Sequence, residues 1–221
     1  MDAPGVAAVN PGAGPSRPAA IPEPAFAELL TAYRDPRRHY HDIGHIEAMQ
    51  AGLQDCRALL HDAEAVQLAI WFHDAVYDAA APDNEERSAD LARQVLAGQL
   101  EQERLRQVVM LILATRKHEL AGDRSPRERA DMAYFLDLDL QILGAEATRF
   151  DAYEAAVRRE YAHVPDAAWR IGRAAVLRRF MARPRLYFTD LFAEKLEEGA
   201  RDNLARSFAK LTEDDPSQAS V

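Results

Sequence analysis

His73 and Asp74 stand side by side in Ala69-Ile-Trp-Phe-His-Asp-Ala-Val-Tyr-Asp78, one of the most apolar stretches of the sequence. Read as a helix, Val66, Ile70, His73 and Tyr77 recur at spacings of three and four and share one face. That face points into a core. Asp74 borders it, a costly position for a carboxylate unless it is paired or bound to a metal. Taken alone, such a pair is more often a hydrogen-bonded core histidine beside a capping or ion-paired aspartate. Two further groups change that balance. His45 opens a helix beside its apolar stripe, and Asp139 lies in an otherwise apolar run, Leu138 to Leu143. Two imidazoles and two carboxylates form a mixed nitrogen and oxygen donor set for a divalent cation, with Mn, Fe, Co, Ni, Zn and Mg all compatible. Asp137 competes with Asp139 for the last position.

Ligands so far apart in sequence converge only if helices bring them together, and the hydrophobic rhythm supplies helices. Phe26, Leu29, Leu30 and Tyr33 mark a first short one, ending near Asp35-Pro36. A histidine-dense stretch, Arg37 to His45, leads into a second that carries Ile46, Met49, Leu53, Cys56 and Leu60. The third carries His73-Asp74 and is expected to stop near Asp78. Asp83 or Asn84 can cap the fourth, with Glu85 and Glu86 in its first turn, where carboxylates suit the helix dipole. A nearly continuous apolar helix follows over about Glu101 to Ala114, then Thr115-Arg-Lys-His-Glu. Further helices are expected over Ala130 to Leu143, Ala147 to Tyr161, Pro165 to before Pro184, and about Asp190 to Leu211. No alternating strand and no internal repeat is visible. The expected class is all-α, a bundle of about eight or nine helices.

The chain has 221 residues, enough for one domain with tails. Residues 1–20 are dominated by Ala, Gly, Pro and small polar residues, and six of the twelve prolines lie in the first 24 positions. That composition cannot bury enough apolar surface to order itself, so a disordered tail is expected there. A single helical domain over 21–211 and a flexible end over 212–221 complete the organisation. The 36 acidic residues outnumber the 27 basic ones, for a net charge of -9, which argues against nucleic acid as a partner. It does not exclude a small phosphorylated molecule, because a bound cation reverses the local sign. The single cysteine, Cys56, can make neither an internal disulfide nor a cysteine zinc site, so a reducing, cytoplasmic setting is expected. No apolar run approaches the roughly 18 residues that span a bilayer, and no membrane partner is expected. The composition admits a homodimer.

The order His45, His73-Asp74, Asp139 resembles the H…HD…D pattern of the HD-domain metal-dependent phosphohydrolases. Arg38-His-Tyr-His-Asp-Ile-Gly-His-Ile46, Ala69 to Asp78, and Asp83-Asn-Glu-Glu-Arg-Ser-Ala89 are similar to the bacterial subgroup described as predicted metal-dependent HD phosphohydrolases. The resemblance runs from about residue 24 to 210. It implies His45, His73, Asp74 and Asp139 as metal ligands, since the second aspartate of such a D-x-D usually fills the last place. Tyr40-His-Asp-Ile-Gly-His45 also resembles the Y-H-N-x-x-H stretch of cyclic-nucleotide phosphodiesterases. By position that implies His45 as a ligand and His41 as the general acid. Asp42 replaces the asparagine of that motif, and a carboxylate bonded near His41 would favour the imidazolium.

The implied chemistry is cleavage of a phosphoester of a nucleotide or similar small molecule by attack of metal-bound water. Asp74 would orient that water and His41 would hand a proton to the leaving oxygen. Asp78 is a further candidate for activating water, although Tyr77 occupies the nearer place after the pair. Arg116, Lys117 and His118 are candidate substrate contacts, with His118 also open to a second metal. Glu85 and Glu86 stand where many HD proteins carry another histidine, a departure that makes a two-metal site doubtful. The rival function is a catalytically silent HD-fold module that binds a nucleotide or a metal as a signal.

Overall fold

A computed structural model describes residues 15–120, 122 and 124–213. Among these, nine α-helices and two short 3-10 turns carry the fold, and there is no strand. In chain order they are α1 (Glu23–Tyr33), α2 (Ile43–Cys56), α3 (Ala63–Phe72), α4 (Asn84–Leu96), α5 (Gln102–Ala114), α6 (Pro126–Leu140), α7 (Ala147–Glu160), α8 (Asp166–Met181) and α9 (Asp190–Thr212). The 3-10 turns, Arg57–Leu59 and Gln141–Gly144, extend α2 and α6. The expected all-α bundle is therefore the observed architecture. No helix among the described residues is long and apolar enough to cross a membrane.

The most buried helix is α3. Ala65, Val66, Leu68, Ala69, Ile70, Trp71 and Phe72 are all inaccessible to solvent. A short helix that is apolar all round is a core helix, and α2, α5 and α6 pack around it. Phe26 and Tyr33 of α1 set their ring edges against Trp71, and the Tyr33 hydroxyl donates to the Trp71 carbonyl at 3.0 Å. A second layer, α7 to α9, closes over the turn after α6.

Four carboxylates fasten the connecting segments by accepting backbone N–H groups. Asp131 holds His61 and Asp62, Asp137 holds Phe188 and Thr189, Glu197 holds Leu186 and Tyr187, and Glu160 holds His39, Tyr40 and His41. Each satisfies loop donors that burial would otherwise leave without partners.

Two expectations need correction. The third helix does not run to Asp78. It ends at Phe72, with His73 as its C-cap, because the following backbone finds tertiary partners. Arg38 donates to the carbonyls of Asp74 and Ala75, and Ser88 exchanges hydrogen bonds with the N–H and C=O of Val76. The expected N-terminal tail also begins its order early. Pro18 and Ala20 are buried, and Arg17 reaches the Ile21 carbonyl and Glu23. The rest of that tail, residues 1–14, and the end over 214–221 lie outside the described residues.

Candidate metal centre

Asp42 starts the construction. As N-cap of α2 it accepts from the N–H groups of Gly44 and His45, which fixes the first turn and with it the His45 ring. His73 is set from the other side. Its Nδ1 lies 3.0 Å from the Ile70 carbonyl, which can only accept, so Nδ1 carries the proton and Nε2 of the neutral ring presents a lone pair. The Nε2 atoms of His45 and His73 are 3.2 Å apart. Asp74 brings Oδ2 to 3.1 Å from His73 Nε2 and 3.8 Å from His45 Nε2. His45, His73 and Asp74 form a group that could hold a metal ion, with one donor atom each within 4.8 Å of the others.

Asp139 joins this cluster from α6. Its Oδ1 lies 3.2 Å from His45 Nε2 and 3.7 Å from His73 Nε2. Its Oδ2 accepts from His118 Nε2 at 2.8 Å. Asp137 faces the opposite way, since residues two apart on a helix differ by about 200°. Both its oxygens are taken by Phe188 and Thr189, and burial raises its carboxyl pKa to about 6. The choice between the two aspartates is thus a matter of helix face.

The donor chemistry fits a cation. Side-chain exposure is 1% for His73, 4% for His45, 13% for Asp139 and 18% for Asp74, so the group is desolvated yet open on its carboxylate side. Without a metal, protons hold the cluster together. Burial opposes a charge on His73, but the adjacent Asp74 carboxylate outweighs it and raises the imidazole to about 9. Burial likewise opposes ionisation of Asp74 and Asp139, yet the neighbouring histidines hold both carboxyls below their ordinary range. A cation would take the place of these protons.

His118 reaches Asp139 from an unusual backbone. Its φ is 50°, in the left-handed region that non-glycine residues avoid at a cost of roughly 1–3 kcal/mol. Arg183 steadies that turn by donating to the His118 carbonyl at 2.8 Å.

A cavity of about 430 Å³ opens beside the cluster. Asp74, Asp139, His118 and His41 face it, and Tyr77, Tyr153, Tyr161, Val176 and Phe180 make an aromatic and apolar wall. His41 is held by a carboxylate that sequence reasoning missed. Glu160 Oε2 lies 2.7 Å from His41 Nδ1 and accepts from the Tyr77 hydroxyl at 2.9 Å, while Oε1 takes the three N–H groups of 39–41. Burial disfavours the imidazolium, but this hydrogen bond and the nearby carboxylates outweigh it and raise the His41 pKa. Glu160 is correspondingly lowered to about 2 against the opposing effect of burial. The carboxylate expected at Asp42 for this task is spent on capping α2.

Three other expected residues are not brought to the donors. Asp78 is exposed, its carboxylate accepts from the Ala80 N–H, and it faces a different surface hollow. Lys117 is exposed and lines a groove on α5 rather than this cavity. Arg116 reaches the cavity rim but is ion-paired with Glu86. The cavity cations that sequence reasoning missed are Arg173, bonded to Tyr153 and Glu154, and the exposed Arg179, which has no carboxylate partner among the described residues. Compared with protein-family models, curated proteins and solved structures, the chain gives no match.

Proposed function

We propose that the chain is a metal-dependent phosphohydrolase of the HD-domain kind, cleaving a phosphoester of a nucleotide or similar small molecule. The observation that carries this reading is the meeting of His45, His73, Asp74 and Asp139, whose two carboxylates line a cavity that is also lined by His41, the partner of Glu160. Of these, His45, His73 and Asp74 would hold the cation, with Asp139 as a fourth ligand. A divalent ion there would polarise a phosphoryl oxygen and supply hydroxide near neutral pH.

The remaining chemistry belongs to the chain. Glu160 engages Nδ1 of His41, which leaves Nε2 as the nitrogen that gives a proton to the departing oxygen. Asp74 would accept a hydrogen bond from the attacking water. His118 positions Asp139 through its second oxygen. Arg179 meets phosphoryl charge, and the tyrosine-rich wall accommodates a flat or apolar substituent of the ester.

The test is hydrolysis by protein loaded with Mn, Co or Mg, assayed on a phosphodiester reporter and a panel of nucleotides. Metal-dependent turnover is expected. His41→Ala should keep its metal and lose about 10²–10⁴ in rate, most for esters with poor leaving groups. Metal uptake without turnover on any substrate would instead support a module that binds its ligand as a signal.

A further inference from the structure

Behind the Tyr40–Tyr153 ring pair lies a second hollow of about 380 Å³, lined by alanines and by several donors, two arginines among them. Helix α7 supplies one wall. Arg149, Ala152, Ala156 and Arg159 are spaced by three, four and three residues, so they share a stripe. The alanines leave a trough between the arginines, whose Cα atoms are about 15 Å apart along the axis. Both arginines are exposed, and neither has a carboxylate partner among the described residues. Arg158 of the same helix, by contrast, is used up on Tyr161, Val164 and Asp166.

Two further donors face the same space. They are His39 and Gln141, the latter with its amide turned in against Gly52 of α2. The one carboxylate of the lining, Asp42, accepts from the N–H groups of Gly44 and His45 through its Oδ1.

We infer that this hollow is a second binding site, for a small anion with two charged groups such as a diphosphate or the diphosphate of a nucleotide. Two guanidinium forks at the ends of a trough suit an anion charged at both ends, and the volume accommodates one the size of a mononucleotide. The site shares one wall with the metal centre, because His45 lines the hollow as well. Tyr40 and Tyr153 line both cavities, and the Tyr40 ring packs 5.0 Å from that of His45. A ligand in the hollow would therefore bear on a ring that abuts the candidate ligand His45. This inference does not depend on the hydrolytic reading.

The experiment is calorimetric titration of the full chain with inorganic pyrophosphate in excess chelator, so that no divalent ion takes part. Saturable binding is expected. It should weaken about tenfold in Arg149→Ala and again in Arg159→Ala, since each removes a charge-assisted contact from an exposed position that folding does not need. Arg179→Ala and Asp74→Asn, which alter the other cavity, should bind like the parent. No binding up to about 10 mM, loss in Arg179→Ala, or unchanged binding in the Arg149 and Arg159 variants would overturn it.

Discussion

Glu160 is the last residue of α7, where the negative end of the helix dipole disfavours a carboxylate. Its five hydrogen bonds to 39–41 and Tyr77 explain why it stands there. An acid at a helix C-terminus is the sequence signal that could have exposed it, but nothing in the spacing ties residue 160 to residue 41. His41, His45, His73 and Asp74 were legible because polar groups interrupt apolar rhythms or crowd a helix start. Lys117 misled because a cation after an apolar helix can turn either way. Glu160→Gln should lower the His41 pKa. A raised folded pKa keeps the imidazolium present below its ordinary value near 6.5 and for some distance above it. The alkaline limb of the pH–rate profile should thus lie above that value in the parent and move to lower pH in Glu160→Gln. Coincident limbs in the two proteins would remove Glu160 from the role of positioning His41. His118→Gly should relieve the left-handed backbone and weaken metal retention, because Asp139 loses its second hydrogen bond. Unchanged metal affinity in that variant would make His118 merely a surface turn residue.

Helices were the most legible level. The apolar period and the Pro and Gly punctuation placed nearly every element, because each helix buries a stripe and stops where its hydrogen bonds must. The exceptions are the start of α6, at Pro126 rather than Ala130, and the end of α3. The apolar run continues through Tyr77, but Arg38 and Ser88 satisfy the backbone of 74–76 and release it from the helix. Such long-range partners leave no local mark. The same holds for the approach of the turn Gln141–Gly144 to α9. A Cβ on Gly144 would lie 2.6 Å from the Leu196 backbone oxygen and Cβ, contacts that no side-chain rotation relieves. Gly144→Ala should cost about 1–3 kcal/mol and lower the melting temperature by several degrees, measured by thermal unfolding. An unchanged melting temperature would show that the two segments can separate freely.

For the whole molecule, the cluster makes stability depend on pH and on metal together. His73 is raised to about 9 in the folded chain, so its contribution is complete below about pH 6.5 and is lost as pH rises through 9. Glu160 works in the other direction, its contribution complete above about pH 4.5 and lost as pH falls toward 2. Metal-free protein should therefore lose thermal stability between pH 6.5 and 9. Metal-loaded protein should lose less, because the cation has displaced the His73 proton and binds more tightly as protons become scarce. The gap in melting temperature should widen with pH to about 5–10 °C at saturating metal. A gap that is constant with pH would mean that the metal binds elsewhere.

The central claim is that side chains from α2, the end of α3 and α6 hold one cation. Equilibrium dialysis of the parent and of Asp74→Asn against Co²⁺, followed by metal analysis, tests it most directly, since asparagine keeps the shape of the side chain and removes its charge. The account predicts about one ion per chain in the parent and at least a tenfold loss of affinity in the variant, with the fold intact by circular dichroism. Equal metal content in both proteins would contradict it.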